Sequence, residues 1–218
     1  MKWILFFKYF IAVILAVIVF ILVSYFFIFN ESFYTSEFTK YGVRSSVSGA
    51  DSINKNVLDF ISGNSKEIPS VFNEREKSHL QDVRNVISGM KTILFFLFAL
   101  LVVLALSCSS VLKFRALLMD FTARILMAAG VIAVVISGIL ILASSLDFGN
   151  TFENFHQILF SKGTYMFDPS TEIIVRLYPQ NLFYDIGTII FIYVIAVAAV
   201  IFFVGFFVSR KSKSKKSK

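Results

Sequence analysis

Four long apolar stretches alternate with polar ones along the chain: Trp3 to Phe29, Thr92 to Leu112, Ile125 to Leu146 and Thr188 to Val208. Each is about 20 residues or more, the length a helix rising ~1.5 Å per residue needs across ~30 Å of hydrocarbon. The pattern predicts an all-α membrane protein, a four-transmembrane-helix bundle. Residues 30–91 and 147–187 form two long polar connections, 113–124 a short turn and 209–218 a tail. The first stretch has the position of a secretory signal. Its apolar run is too long for one, and Val23-Ser24-Tyr25-Phe26 offers no small-residue cleavage site, so it is expected to be retained.

The two long connections carry their own patterns. Ser32 to Val43 is rich in Tyr, Phe and Thr with rough alternation, which predicts a strand. Asp51 to Ile61 reads as a short helix that Ser62-Gly63-Asn64 ends. After Pro69 a helical pattern starts near Asn73 and runs through Glu74, Glu76, His79, Asp82, Val83 and Val86 into the second span. The other connection is crowded with rings: Phe152, Phe155, Phe160, Tyr165, Phe167, Tyr178, Phe183 and Tyr184. Turns are expected at Lys162-Gly163, Asp168-Pro169 and Tyr178-Pro179. Such a segment belongs on a membrane surface, either as an interfacial aromatic belt or as a pocket enclosing lipid-like groups beside His156. Together the two connections predict a small α+β cap.

Composition agrees with the class. Of 218 residues, 57% are hydrophobic and 16% charged, and 27 are Phe. The net charge of +7 is mostly a topology signal. Lys2, the turn with Lys113, Arg115 and Arg124, and the tail from Arg210 to Lys218 all fall on one side of an alternating four-helix layout, offset only by Asp120. Both termini are therefore expected to be cytoplasmic, with the two long connections and the active site extracellular. The basic tail suits contact with anionic membrane lipid; its cations lack the interleaved aromatics of a nucleic-acid site.

The spans hold little chemistry. They contain no Pro and no charge beyond Lys8, which is near enough to the inner surface to snorkel, so a conduction pathway is disfavoured. Ala129, Ala133 and Ser137 recur every four residues, a ridge for close helix packing. Cys108, the single cysteine, is read as a buried structural thiol, and no disulfide can form within the chain. That leaves the only two histidines, His79 and His156, both in the outer connections. Glu76 and Asp82 lie three residues to either side of His79, close enough on a helix to orient an imidazole or raise its pKa.

Glu76-Lys77-Ser78-His79-Leu80-Gln81-Asp82-Val83, then Asn154-Phe155-His156-Gln157-Ile158-Leu159-Phe160, Tyr165-Met166-Phe167-Asp168-Pro169 and Leu177-Tyr178-Pro179-Gln180-Asn181-Leu182-Phe183-Tyr184-Asp185, resemble the bacterial lipoprotein intramolecular transacylase family. The resemblance extends over nearly the whole chain. Tyr165 and Phe183 stand where many relatives carry Trp, aromatic for aromatic. It implies a plasma-membrane acyltransferase that needs no cofactor and no metal. Its substrates would be diacylglyceryl-modified lipoproteins, whose sn-2 acyl chain moves to the amino group of the same N-terminal cysteine, giving the lyso-form. Ester aminolysis needs a neutral amine, and a histidine near pKa ~6.5 is a suitable base for it. On this reading His156 is the principal acid and base and His79 its partner. Glu76 or Asp82 would orient His79, and Tyr165, Asp168 and Tyr184 would bond around the ester. Phe155, Phe167 and Tyr178 would line the substrate site. Two other classes stay open from the residues: a metal-dependent membrane hydrolase using the histidines and nearby carboxylates, and a non-catalytic four-span organiser.

Overall fold

The computed structural model describes residues 2–111, 115–160 and 165–216; Lys113 and the Lys162-Gly163 turn fall outside them. Among the described residues the chain is helical with no strand. In order the helices are α1 (Lys2–Ile28), α2 (Glu31–Lys40), α3 (Val43–Ser46), α4 (Ala50–Ser62), α5 (Glu74–Val111), α6 (Arg115–Leu146), α7 (Phe148–Leu159), α8 (Ile173–Leu177) and α9 (Gln180–Lys216). The four longest, α1, α5, α6 and α9, are long and apolar enough to cross a membrane, which makes this a multi-pass membrane protein.

Two expectations change. Ser32 to Val43 is not a strand, so the α+β cap is wholly helical among the described residues. The Asn30 side chain caps α2 by accepting the Phe33 N–H, and the buried residues Tyr34, Glu37 and Phe38 recur at three and four, not two. The turn expected over 113–124 is helix from Arg115 onward. Leu117, Leu118 and Met119 favour helix, and Arg124 pairs with Asp120 one turn earlier at 2.9 Å. The last helix, α9, continues to Lys216.

The chain divides into two compact units. The first comprises residues 1–24, 93–142 and 189–218 and holds the apolar parts of α1, α5, α6 and α9. Ile11 and Ala12 of α1 meet Ile125 and Ala129 of α6, with Leu101, Leu104 and Cys108 of α5 packed against them. Two glycines set the approach of α6 to α9. A Cβ on Gly130 would lie 2.7 Å from the Ala198 carbonyl oxygen, and one on Gly205 would lie 2.7 Å from that of Ala123. Ala129, Ala133 and Ser137 are all buried, as a packing ridge requires. Phe95, Phe96, Val103, Ile139, Val200 and Phe203 face outward, the composition of a lipid-facing surface.

The second unit comprises residues 25–92 and 143–188. Here α2, α3, α4 and α8 pack on one another around Phe38, Val43, Phe60 and Leu177. Gly63 ends α4 with φ 90°, a left-handed conformation that favours glycine, and returns its N–H to the Phe60 carbonyl. The Tyr178 hydroxyl donates to Asn54 Oδ1 at 2.9 Å and ties the end of α8 to α4. Asp185 Oδ2 receives both Lys40 Nζ and the Tyr41 hydroxyl at 2.5 Å, joining the start of α9 to α2.

Candidate active site

The polar first turns of α5 carry one histidine. Asn73 and Glu76 cap this helix reciprocally: Asn73 Oδ1 accepts the Glu76 N–H at 2.9 Å, and Glu76 Oε2 accepts the Asn73 N–H at 2.7 Å. One turn later stands His79, 7% exposed. Glu74, Arg75, Glu76, Lys77, Asp82, Arg84 and Lys91 mark the part of α5 before Thr92 as outside hydrocarbon. The second histidine comes from α7, whose start is capped by Asp147 accepting the Asn150 N–H at 2.9 Å. His156 lies in the last turn of α7 and is 8% exposed.

The fold brings the two imidazoles face toward face, with ring centroids 6.3 Å apart and planes 21° from parallel. Each ring nitrogen lies about 1.1 Å from its centroid, so no N···N distance can fall below about 4 Å and the two rings make no direct hydrogen bond. The two imidazoles therefore exchange no proton directly.

Aromatic rings enclose the pair. Phe160 lies 4.9 Å from His79 and 5.5 Å from His156. Phe167 meets His79 edge-on at 5.4 Å, while Phe152 and Tyr165 lie 4.1 and 5.1 Å from His156. This dry surrounding disfavours the imidazolium. Burial, with a smaller contribution from the facing His156, pushes His79 down from 6.5 to about 4. His156 is also lowered by burial, partly offset by its bond to the Phe152 carbonyl.

That bond fixes a tautomer. His156 Nδ1 lies 2.7 Å from the Phe152 carbonyl oxygen, so Nδ1 carries the hydrogen and donates it. Nε2 is left with its lone pair, the state of a general base. His79 Nδ1 is buried with no hydrogen-bond partner among the described residues.

The remaining sequence candidates separate into those at the histidines and those that build the fold. Tyr165 and Phe167 belong to the cage, and Phe155 touches its outer side, 5.6 Å from His156 and largely exposed. Glu76 does not orient His79: besides the Asn73 N–H it accepts the Ile174 N–H at 2.7 Å. Asp82 bonds neither imidazole. Asp168 spends its carboxylate on the Ser170 N–H and hydroxyl within its own turn, and those bonds hold its pKa below the usual range. Tyr178 points at Asn54 rather than at a histidine, and burial raises its phenol well above 10. Tyr184 stands one layer out, its ring 5.2 Å from Phe148.

Phe152 and Phe160 stand four residues before and after His156; the sequence shows them as part of the aromatic segment without giving either a role at the histidine. Glu172 and Arg75 also went unassigned. Among the described residues no three His, Cys, Asp or Glu side chains converge as metal ligands would, so the metal-hydrolase reading has no ligand set there.

A model of the family described as Lipoprotein intramolecular transacylase Lit matches residues 9–184. The fold resembles the in meso structure of the membrane integral lipoprotein intramolecular transacylase Lit from Bacillus cereus. The TM-score is 0.82 at 14% identity, over 98% of this chain and 99% of that one. Variants of the same Bacillus cereus protein with a histidine changed to arginine or to alanine match with TM-scores of 0.77 and 0.76. Both are 14% identical, over 98% of this chain and 95% and 96% of theirs. No curated protein matches the sequence.

Proposed function

The chain belongs to the lipoprotein intramolecular transacylase family, and on that premise we propose that His156 and His79 carry out the acyl transfer. The substrate is a lipoprotein whose N-terminal cysteine bears a diacylglyceryl group. Its amino nitrogen attacks the carbonyl carbon of the sn-2 ester; the amide C–N bond forms and the ester C–O bond breaks. The N–H proton leaves to His156 Nε2 and is returned to the departing glyceryl oxygen, which becomes a free hydroxyl. The product is the N-acylated lyso-form.

One observation carries this reading. The only two histidines of the chain, distant in sequence, come together inside an aromatic enclosure with ring centroids 6.3 Å apart. An α-amine of pKa ~8 is mostly protonated at neutral pH, and a histidine held neutral by burial is ready to take up the proton that aminolysis releases. Holding amine and ester of one molecule there supplies the effective molarity of an intramolecular reaction. Phe155, Ile158, Leu159 and Met166, all exposed, offer hydrocarbon contact to the acyl chains and to membrane lipid. The Lys and Arg bias puts this unit at the extracellular face of the bacterial plasma membrane, with both termini cytoplasmic.

The test is mass spectrometry of a lipoprotein N-terminus processed by His156→Asn and His79→Asn variants. Each should lose at least the ~10² to 10⁴-fold that general acid–base catalysis supplies, with membrane insertion unchanged. Wild-type conversion by either variant would return that histidine to a structural role.

A further inference from the structure

Next to the histidines lies a set of charged side chains that the acid–base scheme does not use. Arg75 and Glu76 are neighbours on α5, one turn before His79. Across from them the segment 165–174 supplies Tyr165 and Phe167 to the cage. Two buried carboxylates fasten that segment. Glu172, 4% exposed, accepts the Asp168 N–H on Oε2 at 2.7 Å, closing the turn that follows Phe167. Glu76, 1% exposed, accepts the Ile174 N–H at 2.7 Å and thereby anchors the start of α8 to α5. Arg75 completes the arrangement: its Nη1 lies 3.7 Å from Glu172 Oε1, and its guanidinium covers the Phe167 ring at 5.1 Å. Phe167 in turn meets His79 at 5.4 Å.

We infer that Arg75 and Glu172 are positioning residues, a latch that keeps Phe167 and Tyr165 seated against the imidazoles and water out of the gap between them. The inference rests on the catalytic reading above for its purpose, though the latch can be tested without turnover. Phe167 has His79 on one side and the Arg75 guanidinium over its ring, and the backbone just after it is held by a carboxylate with few alternatives once buried. Removing Glu172 takes away the buried carboxylate that accepts the Asp168 N–H and closes the turn after Phe167, and with it the Arg75 partner, so the segment loses its ties to α5. Phe167 then leaves His79, and the imidazole is hydrated. The charged and titratable groups around His79 are His156 opposite it and Arg75, Glu76 and Asp82 on its own helix. Beyond Phe167 lies Glu172, and Tyr165 lies on the far side of His156.

Because the chain has two histidines, ring-labelled histidine gives two resonances, and each imidazole can be titrated directly by NMR in detergent or nanodiscs. In the wild-type protein His79 should titrate near its lowered value of about 4. In Glu172→Ala the His79 midpoint should move up by about one pH unit or more toward 6.5, as a desolvated group does when water returns. That direction is informative, since deleting a nearby negative charge acts on an imidazole by Coulomb's law in the opposite sense. Glu172→Gln keeps an oxygen for the Asp168 N–H and should stay near wild type. Arg75→Lys preserves charge and is half-exposed, so it folds; it loses the flat stacking on Phe167 and should also raise the midpoint. The acid limb of transacylation should move with the NMR midpoint in each variant. An unchanged or lowered His79 midpoint in Glu172→Ala, or an unchanged one in Arg75→Lys, overturns the latch. Should Glu172→Ala fail to fold, Arg75→Lys decides alone. Active His79→Asn and His156→Asn proteins would instead overturn the catalytic reading, whatever the titrations show.

Discussion

Burying His79 without its charge makes the protein sensitive to acid in a way that one substitution isolates. Its pKa falls from 6.5 to about 4 on folding, so the unfolded chain binds the proton more tightly. Stability is then complete above 6.5 and drains away as the pH drops toward 4, the sign being set by extra protons on the unfolded state. The two-state linkage expression gives a loss of about 2 kcal/mol at pH 5 and about 3 kcal/mol at pH 4, relative to neutral pH. His79→Phe keeps a planar ring of similar size between Phe160 and Phe167 and removes both the titration and the unpaired Nδ1. Thermal unfolding in detergent, followed by circular dichroism at pH 7, 5 and 4, compares the two proteins. The other ionisable groups are the same in both proteins and drop out of the difference. At roughly 2–4 °C per kcal/mol for a chain of this size, the wild type should lose about 4–8 °C more than the variant between pH 7 and pH 5. Parallel curves would show that His79 is hydrated in the folded state, and the argument from its dry enclosure would fall with it.

Two further outcomes test other parts of the molecule. Gly205→Ala should destabilise by about 1–3 kcal/mol, because the new methyl meets the Ala123 carbonyl and the Leu126 Cβ, neither of which is a flexible end. Gly138→Ala on α6 meets nothing within 4 Å and should be neutral or gain up to about 1 kcal/mol of helix propensity, both read as thermal midpoints. In a Cys108→Ser background, a cysteine replacing the exposed Ser170 should react with an impermeant maleimide in intact cells, and one replacing Ser214 should not. Labelling at Ser214 in sealed cells would invert the orientation.

Much of this protein is written locally in its sequence. Uninterrupted apolar length is enough to define the membrane helices, because backbone groups in lipid must be satisfied within the segment itself. Gly63 announces the end of α4, and the polar run from Asn73 announces a helix that leads into a span, since caps and periodicity act over a few residues. The histidines stand out by scarcity alone, and the motifs around them pointed to the family. Other features depend on partners far along the chain. The alternation in Ser32 to Val43 suggested a strand, yet burial of Tyr34, Glu37 and Phe38 on one helical face decided for α2; propensity at such a site is weaker than packing. Glu76 looked like a companion of His79 because the two are three residues apart, whereas its carboxylate was claimed by the backbone of Asn73 and Ile174. Nothing near residue 79 reveals that amide, since Ile174 becomes a neighbour only when α8 packs. The 6.3 Å separation of the imidazoles is of the same kind. Each histidine is placed by its own helix, but their distance, their common dryness and the tautomer of His156 follow from α5, α7 and the segment after it being assembled together, and only tertiary structure does that.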